Sequence, residues 1–89
     1  MNKGIHCFVT GRVQGVCFRM YTQQQAENKG LTGWVRNLSD GRVELMAFGN
    51  QQQLEELNHW LKSGPSMAQV TRLECEAIEF QDFEDFSAR

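Results

Sequence analysis

The residues best able to do chemistry lie together in Gly11-Arg12-Val13-Gln14-Gly15-Val16-Cys17-Phe18-Arg19. Two glycines four positions apart let the backbone turn sharply and bring a ligand close to the main chain, so the N–H groups between them can converge on one oxyanion. A helix-like run follows, and its first turn adds free N–H groups and the positive end of the helix dipole. Arg19 falls in that turn, where a cation opposes the dipole by about 0.3 to 1 kcal/mol. A bound anion removes the conflict. The stretch therefore reads as an anion cradle in which the amides of Gln14, Gly15, Val16, Cys17 and Phe18 act with the Arg19 side chain.

The remaining reactive side chains do not assemble a competing centre. There is no Ser/His/Asp set with a nucleophile loop, no HExxH and no grouping of acids with histidines that would hold a metal. His6 falls in a strand-like run and His59 in a helix-like one, and each reads as a structural or surface residue. Cys17 is too near Arg19 in the chain for the two to bracket a phosphate from opposite sides, so it is not read as a nucleophile.

A chain of 89 residues has room for one domain, residues 1–89, and for one site. Its 40% hydrophobic and 22% charged residues are those of an ordinary globule. No apolar run approaches the roughly 18 residues of a membrane span, and no signal-like segment opens the chain, which makes the cytoplasm the expected compartment. Cys7, Cys17 and Cys75 are odd in number, widely spaced and free of any CxxC pair, so all three are expected as reduced thiols. The net charge of −2 conceals a division. Six cations face two acids from Met1 to Arg42, whereas nine acids outnumber three cations beyond it. A positive first half would steer a small anion inward, and an acidic second half would repel a wrapping polyanion.

The elements needed to hold the cradle follow in order. Ile5 to Thr10 has apolar residues in both alternating sets, as in an interior strand. Phe18 to Lys29 predicts a helix stopped by Gly30 and Leu31. Gly33 to Leu38 and Arg42 to Phe48 predict a hairpin across Ser39-Asp40-Gly41, with Asp-Gly in a tight primed turn. Gly49 is expected to break the second strand, after which Asn50 and Gln53 form a capping signature. Leu54, Leu57, Trp60 and Leu61 supply the stripe of a second helix that Gly64-Pro65 ends. Met67 to Phe80 predicts a strand with a bulge or change of face, and Phe83 to Ala88 a last short strand. Strand, helix, strand, strand, helix, strand is the order of an α+β ferredoxin-like sandwich, βαββαβ, with two helices on one face of an antiparallel sheet.

The glycine loop resembles the signature loop of the acylphosphatases, and Gly33-Trp34-Val35-Arg36-Asn37 with Asp40-Gly41-Arg42-Val43 resembles their second signature. The likeness spans nearly the whole chain, through Ala26, Gly30-Leu31, Gly49, Gly64-Pro65 and Phe86 to Arg89. It implies the ferredoxin-like fold and hydrolysis of carboxyl phosphates such as acetyl phosphate, with no metal and no organic cofactor. Arg19 inherits phosphate binding and Asn37 the positioning of water. Cys17 stands at a variable position of the family and inherits no role. The expected partners are small acyl phosphates and inorganic phosphate, with no nucleic acid and no membrane, for a monomer. The rival readings are a non-catalytic anion-binding or RNA-binding module of the same fold, or an accessory domain. Against RNA binding, the chain lacks an aromatic pair within a basic strand.

Overall fold

The computed structural model describes residues 1–89 and opens with β1, Asn2–Arg12, longer at both ends than the apolar alternation alone implies. It is followed by α1 (Phe18–Asn28), β2 (Thr32–Asn37), β3 (Val43–Asn50), α2 (Gln51–Leu61), β4 (Gln69–Ile78) and β5 (Phe86–Ala88). The strands form one sheet in the order β4-β1-β3-β2-β5. β1 lies between two neighbours, which explains why both of its faces carry apolar residues. The sheet is mixed rather than wholly antiparallel, because β5 pairs in parallel with β2 along its free edge. The chain reaches that edge from β4 at the other side, and on the way Phe80 and Phe83 pack on Phe48. A strand arriving by such a crossing is not bound to the direction a hairpin would impose.

One face of the sheet is covered by helices. Cys7, Val9, Val35 and Leu45 meet Ala26, Leu54, Leu57 and Leu61 in a single buried cluster. Three leucines of α2 are buried, each worth roughly 1.5 to 3 kcal/mol, against about 1 kcal/mol for an N-cap. Packing therefore holds the helix, and the cap sets where it starts. Asn50 Oδ1 accepts from the Gln53 N–H at 2.8 Å, and Gln53 Oε1 accepts from the Asn50 N–H at 3.4 Å, completing the capping box. Gly49 does not break β3, which runs to Asn50. A Cβ there would stand 2.4 Å from Leu31 Cδ2, so close packing explains the residue.

The hairpin turn also differs from the expected form. Asp40 is not left-handed; Gly41 alone is, at φ 96°, and its N–H donates to Leu38 O at 3.2 Å. This is a three-residue connection with a left-handed glycine at its end. The Asp40 carboxylate accepts instead from Arg42 N at 3.1 Å and Arg42 Nε at 2.8 Å. Accepting from the Arg42 amide, aided by the Arg42 guanidinium, holds the Asp40 carboxyl below its ordinary range. The bulge expected in β4 is present: Thr10 pairs with Arg72 but Gly11 with Val70.

The cysteines require a correction. Cys7 and Cys75 form a disulfide, and only Cys17 is free. They are 68 residues apart in sequence, but β1 and β4 place them directly opposite one another with Cα atoms 4.1 Å apart. Spacing rules for local motifs cannot register such a pair, because only strand order brings it together.

The other face of the sheet carries a charged cluster. Glu44, 7% exposed, accepts from His6 Nε2 at 2.7 Å and from Arg36 Nε at 2.7 Å, joining β3 to both of its neighbours. Burial pushes the Glu44 carboxyl up, but the hydrogen bonds from His6 and Arg36, with the charges of both, outweigh it and hold it below 4.5.

Two outcomes follow for stability. A bridge closing this length of chain contributes about 2 to 4 kcal/mol, so reductant should lower Tm by on the order of 10 °C. Cys75→Ala should show the same lowered Tm and no further response to reductant; an unchanged Tm in both would remove the bridge's role. The folded-state lowering of Glu44 means its contribution is complete above the unfolded value of 4.5 and is lost as pH falls through the folded value. Urea midpoints from pH 7 to pH 3 should fall more steeply for wild type than for Glu44→Gln, which should already be the less stable protein at pH 7.

Candidate anion-binding site

Between β1 and α1 two residues take left-handed backbone. Gly15 has φ 75° and Cys17 φ 59°, ψ 26°, the latter being the one non-glycine residue with positive φ. Left-handed residues set among right-handed ones turn successive N–H groups to the same side. No side chain caps α1, and the first amide of the region to find a main-chain acceptor is Tyr21 N, bonded to Cys17 O at 3.1 Å. The amides from Gln14 to Met20 thus donate to no protein acceptor. A non-glycine residue held left-handed costs about 1 to 2 kcal/mol, and at Cys17 that conformation is what aims the amides.

The side chains of the loop divide their work. Phe18, 2% exposed, packs on Trp60 with ring centroids 5.8 Å apart, and Val16 packs against the same core. These two contacts seat the loop on the core. The Cys17 side chain is exposed. Gln14 turns the other way: its Nε2 donates to Leu38 O at 2.8 Å and to Arg42 O at 3.0 Å, fastening the loop to the β2–β3 connection.

Arg19 is exposed on the first turn of α1, and its Nη1 donates to the main-chain oxygen of Arg89. Arg89 N in turn donates to Val35 O at 2.8 Å, which fixes this acceptor two residues before Asn37 along β2. Asn37 ends β2 on the face that Val35 buries, is itself exposed, and spends its side chain on no hydrogen bond within the protein. The loop, Arg19 and Asn37 therefore lie toward the end of the sheet where β1 and β2 stop. All residues expected at the site are brought to one end of the sheet. Sequence reasoning missed the Gln14 side-chain anchor and the Arg89 oxygen that holds Arg19, since both are contacts between distant segments.

The clefts of the surface lie elsewhere, one of about 500 Å³ between α2 and β1 being lined by Lys3, Ile5, Leu54, Glu55, His59 and Lys62. Neither Arg19 nor Asn37 lines any of them. For a small anion, convergent donors weigh more than depth, because charge-assisted hydrogen bonds rather than apolar burial supply the binding energy.

Comparison with known proteins shows the family to which the chain is similar. The acylphosphatase family model matches residues 5–88. An acylphosphatase of Pseudomonas paraeruginosa is 48% identical over 85 residues, covering 96% of this chain and 93% of that protein. The structure of an acylphosphatase from Coxiella burnetii superposes with a TM-score of 0.96 at 44% identity, over 99% of this chain and 93% of that one. Acylphosphatase from Bacillus subtilis gives 0.89 at 35% identity, over 100% and 99%.

No atom lies within 4 Å of where a Gly15 Cβ would stand, so substitution there meets backbone strain alone. Gly15→Ala should cost about 1 to 2 kcal/mol of stability, read as a lower urea midpoint, and should weaken competition by inorganic phosphate. Unchanged values for both would mean that the left-handed turn is not required.

Proposed function

The chain belongs to the acylphosphatase family and hydrolyses acyl phosphates, and we propose that Arg19 and the amides of residues 14–18 hold the phosphoryl group while Asn37 orients the attacking water. The observation that carries this reading is the meeting of unpaired amides, a guanidinium and an uncommitted carboxamide at one end of the sheet.

The demands of the reaction match these groups. The leaving carboxylate has a conjugate acid with a pKa near that of a Glu side chain, roughly 4.3, so departure needs no strong general acid. The phosphoryl group does need its equatorial oxygens held while attack and departure stay in line. Arg19 offers parallel donors to two of those oxygens, and the loop amides serve the rest. On binding, the Arg19 guanidinium turns part of its fork from the Arg89 oxygen to the substrate. Asn37 accepts a hydrogen bond from the water through its carbonyl oxygen, and this aims an oxygen lone pair at phosphorus. The new P–O bond forms as the bond to the carboxylate oxygen breaks. The water's proton passes to a phosphate oxygen, leaving carboxylate and inorganic phosphate.

One domain, residues 1–89, carries every side chain that this step uses. The enzyme is read as a cytoplasmic monomer acting on small molecules, and the six acids between Glu74 and Asp85 favour that over nucleic acid. No helix is long and apolar enough to cross a membrane.

The test is phosphate release from acetyl phosphate without added metal, corrected for spontaneous hydrolysis. Arg19→Ala should lose about 10³-fold in kcat/KM together with phosphate affinity. Asn37→Ala should lose roughly 10²-fold in kcat with phosphate competition intact. Arg19→Lys keeps the charge without the fork and should recover little. Wild-type phosphate affinity in Arg19→Lys would sink the forked contact, and wild-type kcat in Asn37→Ala would sink the water-orienting role.

A further inference from the structure

Gln14 does more than lend an amide to the cradle. Its side-chain nitrogen has two protons and both are used, on Leu38 O at 2.8 Å and Arg42 O at 3.0 Å. Those carbonyls belong to the residues that close the hairpin connection, where Leu38 N donates to Arg42 O at 2.8 Å. Leu38 is bonded directly to Asn37, and Gln14 directly to Gly15. One half-buried amide group thus links the segment that holds phosphate to the segment that holds the water-orienting residue.

We propose that Gln14 is a positioning residue for hydrolysis, setting the distance and angle between the phosphate cradle and Asn37. The proposal rests on the roles given to Arg19 and Asn37 above. The sheet and the packing of α1 on β2 hold the two segments in the same region, but the hydrogen bonds that join the loop itself to the β2–β3 connection are those of Gln14. Arg19 reaches β5 through Arg89, and β5 reaches β2 through Val35, but neither contact touches the loop amides. In-line attack tolerates little error, since about 1 Å of displacement costs on the order of 10²-fold in rate. A glutamine suits the task because its length spans the gap and its nitrogen serves two acceptors at once. A glutamate could donate to neither carbonyl and would set a negative charge beside the anion.

A loop clamp that mattered only to stability would lower Tm and leave kinetics alone. A positioning residue should lower kcat while phosphate still binds, because each half of the site stays intact and only their relation changes. It should also act through Asn37, so that removing Asn37 first leaves Gln14 little to do.

The experiment uses the full chain with Gln14→Ala and Gln14→Met, the latter keeping volume and length if the alanine variant folds poorly. Each is made alone and combined with Asn37→Ala. Turnover of acetyl phosphate, competitive inhibition by inorganic phosphate and thermal unfolding are measured on every protein. The expected result is a 10- to 100-fold fall in kcat, phosphate inhibition within about threefold of wild type, and less than a threefold further loss in the Asn37→Ala background. Wild-type kcat in a folded Gln14→Met would overturn the proposal. So would a Gln14 loss of equal size with and without Asn37, or a loss confined to phosphate affinity. If Asn37→Ala alone turns over like wild type, the water-orienting role fails and the coupling falls with it; a low Asn37→Ala rate beside a fully active Gln14→Met overturns the coupling only.

Discussion

The amides from Gln14 to Met20 have no acceptor in the protein, and the architecture around them is arranged to keep that so. Buried, such groups would each cost about 1 to 3 kcal/mol. Here they lie where β1 gives way to α1. Gly15 and Cys17 hold left-handed backbone, and the Phe18 and Val16 side chains seat the loop on the core. The same constraint accounts for Arg19. A guanidinium at the positive end of a helix opposes the dipole, and Arg19 donates to the main-chain oxygen of Arg89.

The second half of the site comes from a different segment, and the sheet is what brings it close. β3 lies between β1 and β2, so the end of β1 and the end of β2 stand two strands apart at the same edge of the molecule. Glu44 reinforces this spacing from the opposite face by bonding His6 on β1 and Arg36 on β2. Arg36 directly precedes Asn37. The ion cluster ties the three strands to one another. Beside it, Trp34 is covered by the guanidiniums of Arg36 and Arg89 at 5.1 and 5.0 Å, contacts that hold β5 and its oxygen in place.

Local signals were legible where a short stretch of chain determines the outcome. Asn50 and Gln53 cap α2 because both bonds span three residues, and Leu54, Leu57 and Leu61 face one way because a helix repeats every 3.6 residues. The same local logic failed where a residue answers to a distant neighbour. Asp-Gly suggested a primed turn, but Asp40 is occupied by Arg42 and only Gly41 is left-handed. Gly49 looked like a strand breaker and is instead the gap into which Leu31 fits. The parallel pairing of β5 could not be read from its three residues, because direction is set by the path of the crossing that precedes it.

By itself the sequence determined the order of elements and pointed to the glycine loop and Arg19 as a candidate anion site, since glycine spacing, apolar periodicity and an arginine at a helix start are all properties of neighbouring residues, whereas Asn37 was marked by the family resemblance alone. Only the tertiary structure decided that Cys7 meets Cys75, that Gln14 bridges the cradle to the Asn37 strand, and that the Arg89 oxygen holds Arg19. Each of these joins segments at least 24 residues apart. Their pairing depends on strand order and register, and those are fixed by the burial of the whole core rather than by any window of the chain.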